Sequence, residues 1–285
     1  MNPTNIDPWL NQIHCDDCLS AMGRMPSASV NLVVTSPPYN LLNSSGNGMK
    51  NGNGGKWSRA TLMLRQGYAD HGDSMPHDDY VEWQRECLRE MLRVLTPDGA
   101  IFYNHKWRVQ RGLLQDRADI MDGFPVRQII IWQRSGGFNH NPGYFLPTYE
   151  VIYLVANPEF RLAPKAGGIG DVWRIRQDRG NPHPASFPVE LARRAIAATT
   201  AEVVLDPFIG SGTTAIAALM EGRRYVGIDL SDEYCRLARE RIAAAETELA
   251  GSGDVPGGEA VEIPSALEVR EMLQQAPTRR ESAQR

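Results

Sequence analysis

Thr35-Ser36-Pro37-Pro38-Tyr39-Asn40 and, far downstream, Asp206-Pro207-Phe208-Ile209-Gly210-Ser211-Gly212-Thr213 are the two stretches from which the architecture of this chain can be predicted. Each follows a short apolar run, residues 30–34 in the first case and residues 203–205 in the second. Short apolar runs bounded by turn residues indicate buried strands. Both motifs are therefore predicted at the carboxyl edge of one parallel sheet, where α/β proteins bind ligands.

The remaining pattern alternates between strands and helices. Strands are predicted at residues 12–15, 30–35, 100–103, 127–132, 149–155, 203–205 and 225–228. Helices are predicted at 18–25, from a cap at Asp78 or Asp79 to the Pro97-Asp98-Gly99 stop, near 107–120, and at 189–198, 213–221 and 232–249. This alternation predicts an α/β fold with a parallel, doubly wound sheet, and strands 127–132 and 149–155 are a candidate antiparallel hairpin at one edge.

Composition is that of a globular enzyme. The chain has 285 residues, 42% of them hydrophobic and 22% charged, which is enough to build one large domain with a real core. No apolar run approaches the roughly 20 residues that a membrane helix needs, and residues 1–10 lack the pattern of a secretion signal. We therefore expect no membrane partner and a cytoplasmic location.

The cysteines predict neither a disulfide framework nor a metal site. Cys15, Cys18, Cys87 and Cys235 are few and scattered. Cys15 and Cys18 form a Cys-x-x-Cys, but there is no second pair to complete a zinc site and no thioredoxin-like context. We therefore expect partly buried thiols.

The downstream motif has the features of a nucleoside site. Gly210 and Gly212 allow a tight turn that approaches a ligand, and Thr213 begins a helix with free amides. Asp229 ends the next strand at about the 20-residue spacing at which an acid binds ribose hydroxyls. Asp206 would repel a phosphate chain and suits a cationic amino group, as in S-adenosylmethionine. The alternative is that Asp206 only ends a strand at a turn.

The upstream motif suits an exocyclic amine. Ser36 has a hydroxyl that can accept a hydrogen bond, and Pro37 and Pro38 stiffen the backbone and remove two N–H donors, which leaves carbonyls to accept. Tyr39 can stack on a base that has been flipped out of a duplex. The candidate catalytic residues are therefore Ser36, Pro37, Pro38 and Tyr39, and the alternative is a simple proline turn.

These motifs, in this order, resemble those of the β group of bacterial or phage DNA amino-methyltransferases over residues 12–249. The resemblance implies a Rossmann-like, S-adenosylmethionine-dependent methyltransferase fold in residues 1–250, mainly a parallel sheet with an antiparallel edge hairpin, and a flexible tail at 251–285. It implies that the cofactor S-adenosyl-L-methionine contacts Asp17, Cys18, His183, Ser186, Asp206, Phe208, Gly210, Ser211, Gly212, Thr213 and Asp229. His183 could instead be a core or capping histidine.

The resemblance also implies double-stranded DNA as the partner. DNA-facing loops are expected at residues 40–76, 136–144 and 157–181, the last predicted as an irregular insertion. The candidate DNA-binding residues are Asn40, Lys50, Lys56, Arg59, Arg65, Lys106, Arg174 and Arg176. The first loop has no acid between Asn40 and Ala69, although an ordinary solvated linker is the alternative. A homodimer, a cognate restriction enzyme or none, and a bacterial or phage-infected cytoplasm follow from the same resemblance.

Ser36 departs from the family's adenine enzymes, which usually have Asp at this position. Thr-Ser-Pro-Pro-Tyr is associated with cytosine N4 methylation, yet the β group also contains adenine enzymes with Ser there. The predicted activity is site-specific transfer to adenine N6, with cytosine N4 as the alternative. An RNA or protein amide methyltransferase is more remote, because those relatives have Asn and the opposite motif order. A DNA-binding module with a dead active site would have lost cofactor residues that this chain retains.

Overall fold

The structure is a computed structural model that describes residues 5–40, 75–110, 113–134, 142–177 and 187–251. Several predicted site residues lie outside these ranges, namely Lys50, Lys56, Arg59, Arg65, His183 and Ser186. Most of the predicted 136–144 loop and the tail from residue 252 also lie outside them.

The described elements follow the predicted alternation. The strands are β1 Gln12–Cys15, β2 Val30–Thr35, β3 Leu95–His105, β4 Arg108–Gln110, β5 Leu113–Gln115, β6 Val126–Gln133, β7 Tyr149–Ala156, β8 Val172–Arg174, β9 Val203–Asp206 and β10 Arg224–Asp229. The helices are α1 Cys18–Arg24, α2 His77–Val94, α3 Ala118–Met121, α4 Val189–Ala197, α5 Thr213–Met220 and α6 Asp232–Gly251. Asp7–Trp9 and Ala166–Gly168 are single 3-10 turns.

Eight strands form one sheet in the order β1-β10-β9-β2-β3-β7-β6-β8. Neighbouring strands pair in parallel across β1, β10, β9, β2 and β3. Strand β7 runs antiparallel to both β3 and β6, and β8 pairs in parallel with β6. The predicted parallel sheet and its antiparallel pair are confirmed. Because β7 runs backwards, its first residues lie at the same edge as the carboxyl ends of β2, β3 and β9.

Helices cover both faces of the sheet. On one face α1, α2 and α3 pack Met22, Leu88 and Ile120 against Val33 of β2 and its neighbours. On the other face the apolar sides of α4, α5 and α6 pack against Leu32 of β2 and the residues beside it. The central strands are buried on both sides, which is why they form continuous apolar runs in the sequence.

The prediction of a helix near residues 107–120 is wrong for most of that stretch. Residues 108–110 and 113–115 pair as the antiparallel strands β4 and β5, and only Ala118–Met121 is helical. Leu113 and Leu114 remain 70% and 55% exposed. The apolar residues of this stretch therefore do not form the buried stripe that stabilises a helix.

Part of the stretch predicted as an irregular insertion at 157–181 is a strand, because residues 172–174 form β8 at the edge of the sheet beside β6. Trp173 and Ile175 are buried whereas Val172 and Arg174 are exposed, the alternation of a half-buried strand. Three residues are too few for that period to stand out in the sequence. Helix α2 begins at His77 after Pro76, so Asp78 and Asp79 lie in its first turn and do not cap it.

Two cysteines form a disulfide that the sequence did not predict. Cys15, at the end of β1, is joined to Cys235 in α6, and their Cα atoms lie 6.0 Å apart. Cys18 and Cys87 are free and buried, with sulfur atoms 3.7 Å apart. The 220 residues between the disulfide partners hide the pairing, because only the packing of α6 beside β1 brings them together.

None of the described helices combines the length and the apolar character needed to cross a membrane. Within the described ranges, no group of three or more His, Cys, Asp or Glu side chains is placed to hold a metal ion.

Candidate active site

The two sequence motifs meet at one edge of the sheet. Strands β2 and β9 lie side by side, with Leu32 opposite Val204 and Val33 opposite Leu205. Residues 36–40 leave β2 and residues 207–212 leave β9 at neighbouring carboxyl ends. This is the position at which open α/β sheets bind ligands, as the sequence predicted.

Asp206 links the two motifs directly. Its Oδ1 accepts hydrogen bonds from the Thr35 hydroxyl at 2.7 Å and from the Phe208 amide at 3.0 Å. Its Oδ2 accepts a bond from the Thr214 hydroxyl at 2.6 Å. One carboxylate therefore fixes the last residue of β2, residues 207–212 after β9 and the first turn of α5 relative to each other. Residues 207–212 contain the predicted cofactor site and are called the cofactor loop below.

The environment of Asp206 is unusual for a carboxylate. The residue is 2% exposed, and burial raises the pKa of its carboxyl to about 6, partly offset by the hydrogen bonds that it accepts. The sequence predicted that Asp206 binds a cationic amino group of the cofactor. In the structure both of its oxygens accept hydrogen bonds from the protein's own Thr35, Thr214 and Phe208, and these bonds position the loop. The contact with the cofactor stays a prediction.

The cofactor loop crosses the end of β10. The Gly210 amide donates to Asp229 Oδ2 at 2.9 Å, and the Ser231 amide donates to Asp229 Oδ1 at 3.0 Å. Gly210 and Gly212 have φ angles of 50° and 85°, in the left-handed region that glycine adopts without strain. The predicted tight turn is present, and Asp229 at the end of β10 holds it in place.

We expect Gly212→Ala to weaken cofactor binding and to lower thermal stability. A Cβ atom there would lie 3.2 Å from both Cα and Cβ of Ala238 in α6, and its positive φ adds strain of roughly 1–2 kcal/mol. Gly23→Ala in α1 is the matched control, because a Cβ there meets no atom within 4 Å. Titration calorimetry with S-adenosylmethionine and thermal melts would measure both effects. If the Gly212→Ala variant bound S-adenosylmethionine as tightly as the wild type does, the turn would not be needed for cofactor binding.

The remaining predicted cofactor residues lie around the same edge. Asp17 caps α1 by accepting from the Ser20 amide at 2.9 Å, and β1 ends beside β10, with Cys15 opposite Asp229. Cys18 is buried against Cys87. Phe208 is half-buried and packs edge-on against Trp83, with ring centroids 5.7 Å apart.

Ser211 and Thr213 are both buried beside this loop. The Ser211 carbonyl accepts a hydrogen bond from Arg241. Within the described part of the chain, no group hydrogen-bonds to the buried Thr213 hydroxyl.

Polar side chains from three strands surround the upstream motif. The Ser36 and Tyr39 hydroxyl oxygens lie 2.7 Å apart. Asn104, at the end of β3, donates through Nδ2 to the Tyr39 hydroxyl at 2.9 Å and to Glu150 Oε2 at 3.0 Å. Glu150 in β7 also accepts from the Tyr39 hydroxyl at 3.3 Å, and Arg134 pairs with its Oε1 at 3.1 Å. The upstream motif thus belongs to a buried polar network.

The two proline carbonyls of the motif have different surroundings. The Pro38 carbonyl accepts from the Tyr80 hydroxyl at 2.8 Å and from Gln84 Nε2 at 3.5 Å. Since these bonds occupy Pro38, the Pro37 carbonyl is the better candidate acceptor for a bound amine. The sequence did not distinguish between them.

His105 supports the Tyr39 ring from one side. Their ring centroids lie 4.7 Å apart at an interplanar angle of 32°. His105 Nε2 lies 2.8 Å from the Tyr80 hydroxyl oxygen, and this contact fixes the imidazole. One face of Tyr39 is therefore backed by protein.

The described DNA-binding candidates differ in position. Lys106 follows β3 directly at the ligand edge, and Arg174 and Arg176 are exposed at the same edge beyond β6. Arg174 Nε donates to Gln133 at 3.0 Å. Asn40 is 4% exposed and its Nδ2 donates to the Met75 carbonyl at 2.8 Å, so its described contact is structural.

The sequence analysis missed Asn104, His105, Arg134 and Glu150. Asn104 and His105 end a strand with polar residues, a signal that could have placed them at the ligand edge. Glu150 has a weaker signal, because it lies within an otherwise apolar strand whose direction the sequence does not reveal. Arg134 is identified only through its pairing with Glu150.

Comparison with known proteins agrees with this geometry. The family model N6_N4_Mtase, described as DNA methylase, matches residues 30–240. The chain is 28% identical over 284 aligned residues to the type II methyltransferase M.BglII of Bacillus subtilis, covering 84% of this chain and 71% of that protein.

Two solved structures are similar over most of the chain. TTHA0409 of Thermus thermophilus, in complex with S-adenosyl-L-methionine, has a TM-score of 0.59 and 26% identity, covering 87% of this chain and 96% of that one. PvuII DNA methyltransferase, described as cytosine-N4-specific, has a TM-score of 0.61 and 16% identity, covering 84% and 92% of the two chains. The second likeness shows the fold alone.

Because the family match covers most of the sequence, the chain belongs to the DNA methylase family. It is an S-adenosylmethionine-dependent DNA methyltransferase with a Rossmann-like fold. The predicted family, fold class, enzyme class and cofactor are confirmed.

Proposed function

We propose that this chain is a site-specific DNA methyltransferase that transfers a methyl group to the exocyclic amine of a flipped base in double-stranded DNA. The observation that carries the proposal is the arrangement of Ser36, Pro37 and Tyr39 beside the cofactor loop. Thr35 precedes this motif and is hydrogen-bonded to Asp206 of the cofactor strand. A base held at the motif therefore lies next to the methyl donor.

The residues of the motif have complementary roles in this proposal. The Ser36 hydroxyl and the Pro37 carbonyl accept hydrogen bonds from the amine and draw its nitrogen out of conjugation with the ring. Tyr39 stacks on the base, and His105 packs against the tyrosine ring and holds it in position. The rate then comes from orientation and electrostatics, without a covalent enzyme intermediate.

The cofactor residues fit S-adenosylmethionine, which supplies an activated methyl group when it is bound. We assign the ribose hydroxyls to Asp229 at the end of β10, and the cofactor adenine to the side of Asp17 and Cys18 at the adjoining end of β1. Carboxylates at Asp17, Asp206 and Asp229 give this edge a negative character that favours a cationic ligand over a phosphate. We assign Phe208 and the Gly210–Gly212 turn to the methionine part.

We place adenine N6 ahead of cytosine N4 as the target. Ser36 and Pro37 offer two acceptors, and both amines have two N–H donors, so the motif can serve either base. Lys106, Arg174 and Arg176 are proposed DNA contacts, because they lie at the ligand edge where phosphates would approach. A homodimer, a cognate restriction enzyme and a cytoplasmic location stay predictions.

The proposed function is tested by mass spectrometry of nucleosides. Unmethylated phage DNA would be incubated with the purified chain and methyl-labelled S-adenosylmethionine and then digested. We expect labelled N6-methyldeoxyadenosine from the wild type and its loss in Tyr39→Ala. Labelled N4-methyldeoxycytidine would instead establish the alternative base. Cofactor binding without any methylated nucleoside would overturn the proposal and favour an RNA or protein substrate.

A further inference from the structure

We propose that Glu150 is a positioning residue that acts through Tyr39 to make the Ser36 hydroxyl a hydrogen-bond acceptor toward the target amine. This inference rests on the proposed function and extends it to a residue outside both sequence motifs. Glu150 is 7% exposed at the start of β7. It reaches the catalytic motif only because β7 runs antiparallel to β3.

The direction of the hydrogen bonds follows from the chemistry of each group. Glu150, paired with Arg134, has only acceptor atoms. The amide of Asn104 must therefore present its Nδ2 to Glu150, and the same Nδ2 donates to the Tyr39 hydroxyl oxygen at 2.9 Å. Among the described residues, Glu150 and Ser36 both lie within hydrogen-bond distance of the Tyr39 hydroxyl, which has one proton to donate.

The carboxylate is the stronger acceptor of the two, since charge-assisted hydrogen bonds are roughly twice as strong as neutral ones. When Tyr39 donates to Glu150 Oε2, its oxygen accepts from Ser36 at 2.7 Å. The Ser36 proton then points at Tyr39, and one of the two Ser36 lone pairs accepts from Asn104 Nδ2 at 3.4 Å. In this proposal the other lone pair accepts from the target amine. Glu150 thus sets the polarity of a chain that runs from Glu150 through Tyr39 to Ser36.

This polarity matters because the amine must keep its own lone pair for the methyl group. A Ser36 hydroxyl that donated to the amine would occupy that lone pair and block attack. The arrangement also supplies, from β7, a negative charge that the serine at position 36 does not carry. The charge is separated from Ser36 by two hydrogen bonds, through Tyr39, and from the target amine by a third.

The variant Glu150→Gln tests this role with almost no change in shape. A glutamine amide can donate to the Tyr39 oxygen and so allows Tyr39 to donate to Ser36. We expect kcat for methylation of unmethylated phage DNA to fall at least about 10-fold, the loss of one hydrogen bond that acts in the transition state. We expect the Kd for S-adenosylmethionine to stay within about 2-fold of wild type, since Glu150 does not contact the cofactor loop.

Glu221→Gln is the matched control. Glu221 pairs with Arg193 at 2.8 Å and its side chain is 13% exposed, but it follows the end of α5 that points away from the site. We expect this variant to keep wild-type kcat. A loss that Glu221→Gln reproduces would overturn the role of Glu150.

A double-mutant cycle separates polarity from simple support of the fold. In a Tyr39→Phe background the hydrogen-bonded path from Glu150 to Ser36 is already interrupted. Adding Glu150→Gln should then lower kcat by less than about a further 2-fold. If Glu150→Gln does not fold, the effects of Ser36→Ala and Tyr39→Phe on kcat should be non-additive, because both substitutions interrupt the same hydrogen-bonded path. Multiplicative losses in either cycle would overturn the proposal. An inactive wild type overturns the proposed function, whereas a fully active Glu150→Gln overturns only the role of Glu150.

Discussion

Tyr39→Ala is expected to lower the rate of methyl transfer about 100-fold while cofactor binding stays intact. Base stacking is worth about 1–3 kcal/mol per base, and that contribution is lost with the ring. The hydrogen bond that orders Ser36 is lost as well, at roughly 1 kcal/mol. Single-turnover methylation of unmethylated phage DNA at saturating S-adenosylmethionine would measure the change.

Tyr39→Phe divides this effect into its two parts. It keeps the ring against His105 and removes only the hydroxyl that contacts Ser36, Asn104 and Glu150. We expect a rate between those of wild type and Tyr39→Ala. A Tyr39→Ala enzyme that methylates at the wild-type rate would show that the base does not stack at this position.

Asp206→Ala is expected to be the most destabilising single substitution at the site. It removes the acceptor of three hydrogen bonds, from Thr35, Phe208 and Thr214. Each lost bond costs about 1–3 kcal/mol, and removal of a buried charge offsets part of that cost. We therefore expect the free energy of unfolding to fall by about 3 kcal/mol at pH 7.5. Cofactor binding and methyl transfer should both fall, since Asp206 holds both motifs.

Denaturant unfolding would measure the loss, with Asp98→Ala as the matched control. Asp98 is exposed near the start of β3, at the opposite edge of the sheet. Its replacement should change the free energy of unfolding by less than about 0.5 kcal/mol. Equal stabilities for the two variants would contradict the linking role of Asp206.

Wild type and Asp206→Ala should also differ in pH dependence, with a definite sign. Burial raises the pKa of Asp206 from 3.8 to about 6, so the folded state binds this proton more tightly than the unfolded state does. The stability that Asp206 provides is therefore complete below pH 4 and declines as the pH rises through 6. The difference in free energy of unfolding between the two proteins should narrow by about 2 kcal/mol between pH 4 and pH 7.5. A difference that widens with pH would contradict the raised pKa.

The sequence was most informative where periodicity and turn chemistry act locally. The apolar runs of β2 and β9, the glycine turn at Gly210–Gly212 and the alternation of elements were all predictable, because each depends on residues close in the chain. The stretch 107–120 was wrongly predicted as a helix because its apolar content is similar to that of a helix. In the structure two segments of it pair as strands, and Leu113 and Leu114 are exposed. Local pattern does not reveal whether an apolar residue finds a core.

The class of fold, the two motifs and the cofactor that suits them could all be inferred from the order of the amino acids. The contacts of the motif residues could not, and they emerged only from the packed molecule. Packing turned Asp206 inward to Thr35 and Thr214, occupied the Pro38 carbonyl with Tyr80, and brought Glu150 to Ser36 through Tyr39. These hydrogen bonds join strands far apart in the chain, and they depend on sheet order and strand direction, which no local stretch of sequence encodes.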